Sequence, residues 1–210
     1  MISPYYEDKF CTIYHGDCKT IIPQLPDIDI VLSDPPYGIN FSGFRNKRKS
    51  KFDDTCLPVE QINLAISKAK RAAYFFCDWR KLSELPTPTS LIVWSKQVCS
   101  MGDLKHEHAR AWEGCCFYPQ EEHQFIKRPP DIFVCKKTNN MFHPTEKPVP
   151  LLEEILKANV GEIVLDPFMG SGSTLIAARN QGRKSIGIEI KKQYCDTAIE
   201  RLAQQSLFVY

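Results

Sequence analysis

The fold is decided by the stretch EIVLDPFMGSGSTLIAARNQGRKSIGIEI, residues 162–190. It contains a short apolar strand (EIVLD), a helix closed by Gly182 (STLIAARNQG) and a second strand (KSIGIEI). A strand, a helix and a strand in this order place two parallel strands side by side through a crossover helix. The stretch therefore predicts a parallel sheet with a helix packed against it.

The rest of the chain continues this alternation. Further elements are predicted at residues 11–17 (strand), 29–33 (strand), 58–70 (helix), 72–77 (strand), 91–95 (strand) and after Pro150 (helix). Tyr194, Ala198 and Leu202 recur at four-residue steps, which indicates one face of a last helix. Strands that alternate with helices predict an α/β fold with a doubly wound, mostly parallel sheet covered on both faces.

Length and composition predict a single domain spanning residues 1–210. The chain has 43% hydrophobic and 25% charged residues, which is ordinary for a globular protein. Residues 97–142 are polar, rich in His, Pro and Lys, and without a sustained helical period, so we interpret them as a short insert. The apolar runs are too short to span a membrane, and the N-terminus lacks the pattern of a secretory signal. We expect a cytoplasmic protein without membrane contact.

The nine cysteines are expected to be reduced thiols in that compartment. The densest ligand-like cluster consists of His106, His108, Cys115, Cys116 and His123. Its spacing matches no common zinc finger or ribbon, so we predict no metal site.

Two of the predicted strands end in loops of unusual chemistry. SDPPY begins at Ser33, and DPFMGSGST follows the strand that ends at Leu165. In an open parallel sheet, ligands bind beyond the carboxyl ends of the strands, at the point where the strand order reverses. We therefore predict that these two strands are neighbours at that point and that both loops face one cleft.

The second loop has the composition of a nucleoside-binding turn. Gly170 and Gly172 allow a tight bend and the close approach of a ligand. The hydroxyls of Ser171, Ser173 and Thr174 can cap the following helix, whose free N–H groups favour negative ligand groups. No lysine follows the glycines, which disfavours a phosphate cradle.

Two acids complete this interpretation. Asp166 offers a carboxylate to a cationic group at the start of the loop. Glu189 ends the next strand, where it can accept hydrogen bonds from ribose hydroxyls. The glycine turn and the two acids together predict a site for a nucleoside with a positive charge.

The first loop, Asp34-Pro35-Pro36-Tyr37, suits an amine on a nucleobase. Proline has no N–H to extend a sheet, so the loop holds its acceptors rigidly. Asp34 can accept one N–H of an exocyclic amine and the carbonyl of Pro35 can accept the other. Two such acceptors localise the nitrogen lone pair, and Tyr37 offers a flat face to an extruded base.

These motifs resemble those of the S-adenosylmethionine-dependent amino-methyltransferases of DNA, in the class whose motif order is permuted. The matching pieces span nearly the whole chain in the expected order: HGD (15–17), SDPPYG (33–38), HPTEKP (143–148), DPFMGSGST (166–174) and GIEI (187–190). The resemblance implies a Rossmann-like class I methyltransferase with a mostly parallel, seven-stranded sheet. It also implies S-adenosyl-L-methionine as cofactor and double-stranded DNA as partner, and it leaves a homodimer open.

The resemblance implies a role for each motif. Asp34, Pro35, Pro36 and Tyr37 would hold the target base. Glu189 would bind the ribose hydroxyls of the cofactor and Asp17 its adenine amine. The other implied cofactor-binding residues are His143, Pro144, Thr145, Glu146 and Lys147 beside the carboxylate, and Asp166, Pro167, Phe168, Gly170, Ser171, Gly172, Ser173 and Thr174 around the methionine part.

The chain departs from the family pattern once in the cofactor segment and once in the target-recognition region, and it carries a basic segment that can contact DNA. Many relatives have glutamine where this chain has Glu146. Residues 97–142 would be the target-recognition region, in which a common histidine–glutamate dipeptide is here Trp112-Glu113. A basic segment soon after the base-holding motif is predicted to contact DNA phosphates through Arg45, Lys47, Arg48, Lys49 and Lys51.

Adenine N6 is the predicted target. Cytosine-modifying relatives usually carry serine where this chain has Asp34, and a purine offers Tyr37 more stacking area. Methylation of cytosine N4 in DNA, or of adenine N6 in RNA, remain the alternatives. A non-catalytic partner subunit is disfavoured because such subunits usually lose the acid or the aromatic residue of this motif.

Overall fold

The structure is a computed structural model that describes residues 2–39, 55–97, 105, 108–138 and 146–206, without the side chains of residues 205–206. In chain order, its strands and helices are β1 (Tyr6–Glu7), β2 (Cys11–His15), α1 (Cys18–Ile21), β3 (Ile28–Ser33), α2 (Val59–Lys68), β4 (Ala69–Cys77), β5 (Ser90–Ser95), β6 (Trp112–Pro119), β7 (Ile132–Val134), α3 (Val149–Lys157), β8 (Ile163–Asp166), α4 (Ser173–Asn180), β9 (Lys184–Glu189) and α5 (Lys192–Ser206). Two 3-10 turns lie at Ile22–Gln24 and Trp79–Glu84.

The described strands form one sheet in the order β1-β2-β9-β8-β3-β4-β6-β5-β7. Strands β2, β9, β8, β3 and β4 are parallel neighbours, whereas β6 runs antiparallel to β4 and β5. The predicted doubly wound α/β class is confirmed. The sheet has nine strands in the described residues instead of seven, because the two-residue β1 and the three-residue β7 extend its edges.

The strand order reverses between β3 and β8. Ile30 lies opposite Val164 and Val31 opposite Leu165, so the two strands are direct neighbours. From β3 the chain continues through α2 to β4 on one side, and from β8 it continues through α4 to β9 on the other. The loops after both strands therefore leave the same edge at the reversal point, as predicted.

Helices cover both faces of the sheet. Successive residues of a strand point to opposite faces, so Val31 packs in a cluster with α2 while Ile30 and Leu32 pack with α3. The apolar stripe of α3 consists of Leu151, Leu152, Ile155 and Leu156, all buried. Complete burial of a side chain of this size stabilises the fold by ~1.5–3 kcal/mol. The core on both faces holds β3 and β8 rigidly beneath their loops.

Part of the predicted insert at 97–142 belongs to the sheet. Strand β6 lies between β4 and β5, with Cys115 opposite both Phe76 and Ile92. Residues 114–118 are buried without alternation, which is typical of a strand covered on both faces and is hard to recognise from periodicity. Cys115 and Cys116 of the ligand-like cluster are thus core residues.

The described part of the chain has neither the side-chain groups of a metal site nor a membrane-spanning helix. It contains no group of three His, Cys, Asp or Glu residues arranged to hold a metal ion. Nor does any helix in it combine the length and the apolar character needed to cross a membrane.

Candidate active site

A cleft opens where the loops after β3 and β8 leave the sheet. It contains about 350 Å³ of empty space, part of it open to solvent. Three segments that are far apart in the sequence line it: Asp34, then Glu146, Lys147 and Leu152, then Asp166, Phe168, Met169, Gly170, Ser171, Ser173 and Thr174. The predicted convergence of the two loops on one cleft is therefore present in the fold.

One hydrogen bond joins the two loops directly. The hydroxyl of Ser33, the last residue of β3, donates to Oδ1 of Asp166 at 2.5 Å. Asp34 follows Ser33 in the chain, so the two acidic residues are held at adjacent strand ends. The hydrogen bond thereby holds two motifs that are far apart in the sequence at a fixed distance from each other in the cleft.

Asp34 is held by two donors. Tyr37 Oη donates to Oδ1 at 2.5 Å, and Lys147 Nζ donates to Oδ2 at 2.5 Å. Lys147 also donates to Tyr37 Oη at 3.2 Å, and its ammonium lies 5.0 Å from the ring centre of Phe76. The lysine of the HPTEKP motif, expected beside the cofactor carboxylate, thus contacts the base-holding motif.

Glu113, which the resemblance assigns to the target-recognition region, lies in the site, where no contact was predicted for it. It lies near the start of β6, and its Oε2 is 3.3 Å from Lys147 Nζ. Lys96, one residue after β5, pairs with Glu113 Oε1 at 2.5 Å. The available signal was an acid that directly precedes the buried run of residues 114–118, where a charge requires a partner.

These charges change one another's pKa values. Burial raises the pKa of Asp34; Lys147 opposes the rise and Glu113 adds to it. Burial opposes the charged forms of Lys147 and Glu113 as well, but their partners outweigh it, so the pKa of Lys147 is raised and that of Glu113 is lowered. Lys147 and Glu113 are therefore charged at neutral pH, while Asp34 takes up a proton more readily than an ordinary carboxylate.

Asp166 is the buried acid of the second loop. Besides Ser33, it accepts a hydrogen bond from the backbone N–H of Phe168 at 3.1 Å and one from the side chain of Thr174. Burial raises the pKa of this carboxyl to about 6, because these hydrogen bonds compensate for only part of the lost hydration. Such a carboxylate favours a cationic ligand.

The glycine-rich turn differs in detail from its prediction. Gly170 (φ 52°) and Gly172 (φ 82°) both adopt the left-handed conformation, as the sequence suggested. Gly172 itself is the N-cap of α4, and no side-chain hydrogen bond caps this helix, so the predicted capping by Ser171, Ser173 and Thr174 is wrong. A glycine in the cap position leaves the neighbouring hydroxyls to other partners.

Thr174 hydrogen-bonds to Asp166, and the partner of the two serines comes from α5. The Nη1 group of Arg201 donates to the hydroxyls of Ser171 at 2.8 Å and Ser173 at 3.3 Å. Its Nη2 group forms a buried ion pair with Glu146 Oε1 at 2.9 Å. Glu146 therefore lines the cleft with its charge already paired. His143, Pro144 and Thr145 lie outside the described residues.

The residues predicted to bind the ribose and the adenine of the cofactor lie at neighbouring strand ends. Glu189 ends β9 and accepts hydrogen bonds from the backbone N–H groups of Gly170 at 3.0 Å and Lys191 at 2.8 Å. Its opposite residue on β2 is His15, and Asp17 follows two residues later as the N-cap of α1. Burial raises the pKa of Glu189.

The remaining predicted residues fall into two groups. The loops after β3 and β8 contain Pro35, Pro36, Pro167 and Phe168. The basic residues Arg45, Lys47, Arg48, Lys49 and Lys51 lie outside the described residues.

A doubly wound sheet whose reversal point carries an acid–proline–proline–tyrosine loop beside an acid–glycine-rich turn defines a class I methyltransferase. A family model described as DNA methylase matches residues 103–200. The Escherichia coli K12 protein named "Putative methylase YubD" is 32% identical over 211 residues, covering 90% of this chain and 88% of that protein. The chain belongs to this family of N6/N4 DNA methyltransferases.

Other similar proteins agree with this assignment. "DNA adenine methyltransferase YhdJ" of E. coli K12 is 28% identical over 242 residues, covering 91% of this chain and 82% of that protein. The crystal structure of the M1.HpyAVI–SAM complex has a TM-score of 0.70 and 27% identity, covering 91% of this chain and 99% of that one. The PvuII cytosine-N4 DNA methyltransferase has a TM-score of 0.69 at 16% identity over 93% and 87% of the two chains, which shows a shared fold alone. S-adenosylmethionine is the methyl donor of the family.

Proposed function

We propose that this protein transfers the methyl group of S-adenosylmethionine to N6 of an adenine that is flipped out of double-stranded DNA. The observation that carries the proposal is the Ser33–Asp166 hydrogen bond. It holds the acceptor for a nucleobase amine, Asp34, beside the acceptor for a cationic nucleoside, Asp166. A methyl transfer between two ligands needs both of them in one cleft at a fixed distance.

The cofactor would be held by groups of matching chemistry. Its sulfonium and α-ammonium carry positive charge, which suits the buried carboxylate of Asp166. Its ribose hydroxyls suit Glu189, whose oxygens have lone pairs beyond those used by backbone N–H groups. Asp17, on the same edge of the sheet, would accept from the adenine amine. When bound, the cofactor supplies a methyl group that is activated for transfer.

The target amine would be activated by Asp34 and the Pro35 carbonyl. Each carboxylate oxygen of Asp34 has a further lone pair, so it can accept an N–H of the base while it remains bonded to Tyr37 and Lys147. As the new N–C bond forms and the C–S bond breaks, positive charge moves from sulfur to nitrogen. The amine then loses a proton, and Asp34 can accept it because burial has raised its pKa.

Adenine is favoured over cytosine by the residue type at position 34. An aspartate occupies the place where cytosine-modifying relatives usually carry serine. The likeness to YhdJ, which is named as a DNA adenine methyltransferase, supports this choice. Methylation of cytosine N4 is the second candidate, because its amine has the same hydrogen-bonding needs.

The test is product analysis after reaction. The protein is incubated with unmethylated duplex DNA and S-adenosylmethionine, and the DNA is then digested to nucleosides and analysed by mass spectrometry. We expect N6-methyladenine, and none with the Asp34→Ala variant. N4-methylcytosine as the main product would overturn the choice of base, and methylated adenosine in RNA but not in DNA would overturn the choice of substrate.

A further inference from the structure

Four charged side chains form a cluster around Asp34, and the mechanism above gives a chemical role only to Asp34 itself. Two carboxylates, Asp34 and Glu113, alternate with two ammonium groups, Lys147 and Lys96, in the order Asp34–Lys147–Glu113–Lys96. The side chain of Lys147 is only 6% exposed, and that of Lys96 only 13%. We call these four residues the charge cluster.

The contacts in the charge cluster are directional. Lys147 donates hydrogen bonds to Asp34 and to Tyr37, and its positive charge also faces Glu113 Oε2. Glu113 Oε2 is a buried atom that accepts no hydrogen bond within the described residues, so its interaction with Lys147 is an ion pair at 3.3 Å. Glu113 thus acts on Lys147 through its charge, while Asp34 and Tyr37 hold the ammonium in place by hydrogen bonds.

We propose that Lys147, held between Asp34 and Glu113, is a positioning residue for methyl transfer, which fixes the Asp34 carboxylate toward the target amine and balances the second carboxylate. The inference rests on the proposed function, since Asp34 is placed there as the acceptor. Lys96 completes the balance by pairing with the far oxygen of Glu113 at 2.5 Å. The charge cluster as a whole is then neutral.

The physical reason is repulsion between buried like charges. Without Lys147, Asp34 and Glu113 would face each other in a medium of low dielectric, where two carboxylates share a proton. Within the part of the chain that the structure describes, the ionisable groups around Asp34 are Tyr37 of its own loop, Glu113 and Cys115 of β6, Lys147 before α3 and Asp166 of β8, with Lys96 and Lys137 beyond Glu113. Lys147 is the one cation of this set in direct contact with Asp34.

Two substitutions have opposite consequences for the pH dependence of turnover. Lys147→Met removes the charge that lowers the pKa of Asp34, so the acid limb of the pH–rate profile moves to higher pH. Glu113→Gln removes a charge that raises that pKa, so the acid limb moves to lower pH. A residue that only supports the fold would shift neither limb.

The experiment measures turnover against pH at saturating DNA and S-adenosylmethionine for the wild type, both single variants and the double variant. Near pH 7, Lys147→Met is expected to lower turnover by at least about tenfold, and the turnover should recover with rising pH. The double variant should be faster than Lys147→Met near pH 7, because Asp34 no longer faces a second carboxylate. Lys157→Met, at an exposed lysine of α3 paired with Glu154, is the matched control and should behave as wild type.

Binding of S-adenosylmethionine by calorimetry separates this inference from a cofactor contact. We expect the affinity of Lys147→Met to stay within about threefold of wild type, well below the loss of roughly tenfold or more that follows removal of a charged hydrogen bond. A large loss of affinity with an unshifted pH profile, or a Glu113→Gln profile that does not move to lower pH, would overturn the inference. If Lys147→Met does not fold, Glu113→Gln alone decides it. A wild-type protein that methylates no DNA would instead refute the proposed function.

Discussion

Asp166 is a carboxylate that the fold buries almost completely, at 3% exposure, between the two loops of the cleft. Its three hydrogen-bond donors, Ser33, Phe168 and Thr174, orient it but do not restore the hydration lost on folding. A pKa that rises from 3.8 to about 6 corresponds to about 3 kcal/mol of differential stability between the two protonation states. The residue is therefore costly to the free protein and suited to a cationic ligand.

Replacement of Asp166 by Asn should expose this trade-off. The folded pKa lies above the unfolded one, so the native state is penalised as the pH rises from about 4 through about 6. Asn retains an acceptor for Ser33 and Phe168, so Asp166→Asn should gain roughly 1–3 kcal/mol of unfolding free energy relative to wild type between pH 4.5 and pH 7.5.

Urea unfolding without cofactor at both pH values checks the stability change. Calorimetry near pH 7.5 should show weaker binding of S-adenosylmethionine by at least about tenfold, through loss of a charged partner. A variant whose stability relative to wild type is the same at both pH values would show that the carboxylate is not the titrating group.

At the scale of elements, the turn between β8 and α4 serves helix packing as well as the ligand. A Cβ atom added at Gly172 would lie 2.9 Å from Cβ of Ala198 on α5, closer than real Cβ contacts come. The backbone there is also left-handed, with φ at +82°. This glycine lets α5 approach the start of α4, where Arg201 reaches the serines of the turn.

Gly172→Ala should therefore lose stability for two reasons that can be separated. Gly182→Ala is the matched control, because Gly182 has φ +70° but no atom within 4 Å of an added Cβ. The control should lose about 1–2 kcal/mol from backbone strain, and Gly172→Ala should lose more because a clash is added. Combining Gly172→Ala with Ala198→Gly should recover only the part of the stability that the clash removes. Equal losses for the two single variants in chemical denaturation would contradict the packing argument.

Elements also mark the limit of what the sequence could predict. Motifs on single strands and turns were recognisable because proline, glycine and charged residues interrupt the apolar pattern at fixed positions, as in Asp34–Tyr37 and Asp166–Thr174. The contact between Glu113 and Lys147 was not predictable, because β6 lies in a range that reads as an insert and returns between β4 and β5. Lys147 was predicted as part of the site, but its contact with Asp34 depends on how α3 packs, which local sequence does not determine.

For the whole molecule, the adjacency of β3 and β8 followed from the alternation of elements together with one general rule about parallel sheets. The rule placed β3 and β8 side by side, and their register confirms it. The short edge strands β1 and β7 were missed because two or three residues carry too little pattern to be detected. The attraction of a DNA duplex to the cleft also concerns the whole molecule. The net charge of +2 is too small to attract a polyanion, so the attraction depends on where the basic residues lie.

We expect the attraction to come from the basic segment of residues 45–51, which connects the base-holding loop to α2 and lies outside the described residues. Each phosphate contact releases counterions, so log K falls with log salt by about 0.9 per contact. Replacing Lys47 and Lys49 by Ser should make this slope less steep by about 2 if each contacts one phosphate. Sequence preference should change little, because phosphate contacts position a duplex without reading it.

Fluorescence anisotropy with a labelled duplex over a salt series measures the slope. The matched control replaces Lys157 and Lys184 by Ser. Both lysines are exposed. Lys157 ends α3 and Lys184 begins β9, and both lie at the edge of the sheet opposite the cleft. The control changes the net charge by the same amount, so a purely long-range effect would alter both slopes equally. A reduced slope in the first variant and an unchanged slope in the control would locate the phosphate contacts in the segment that follows the base-holding loop. Equal slopes in all three proteins would exclude this segment from the DNA interface.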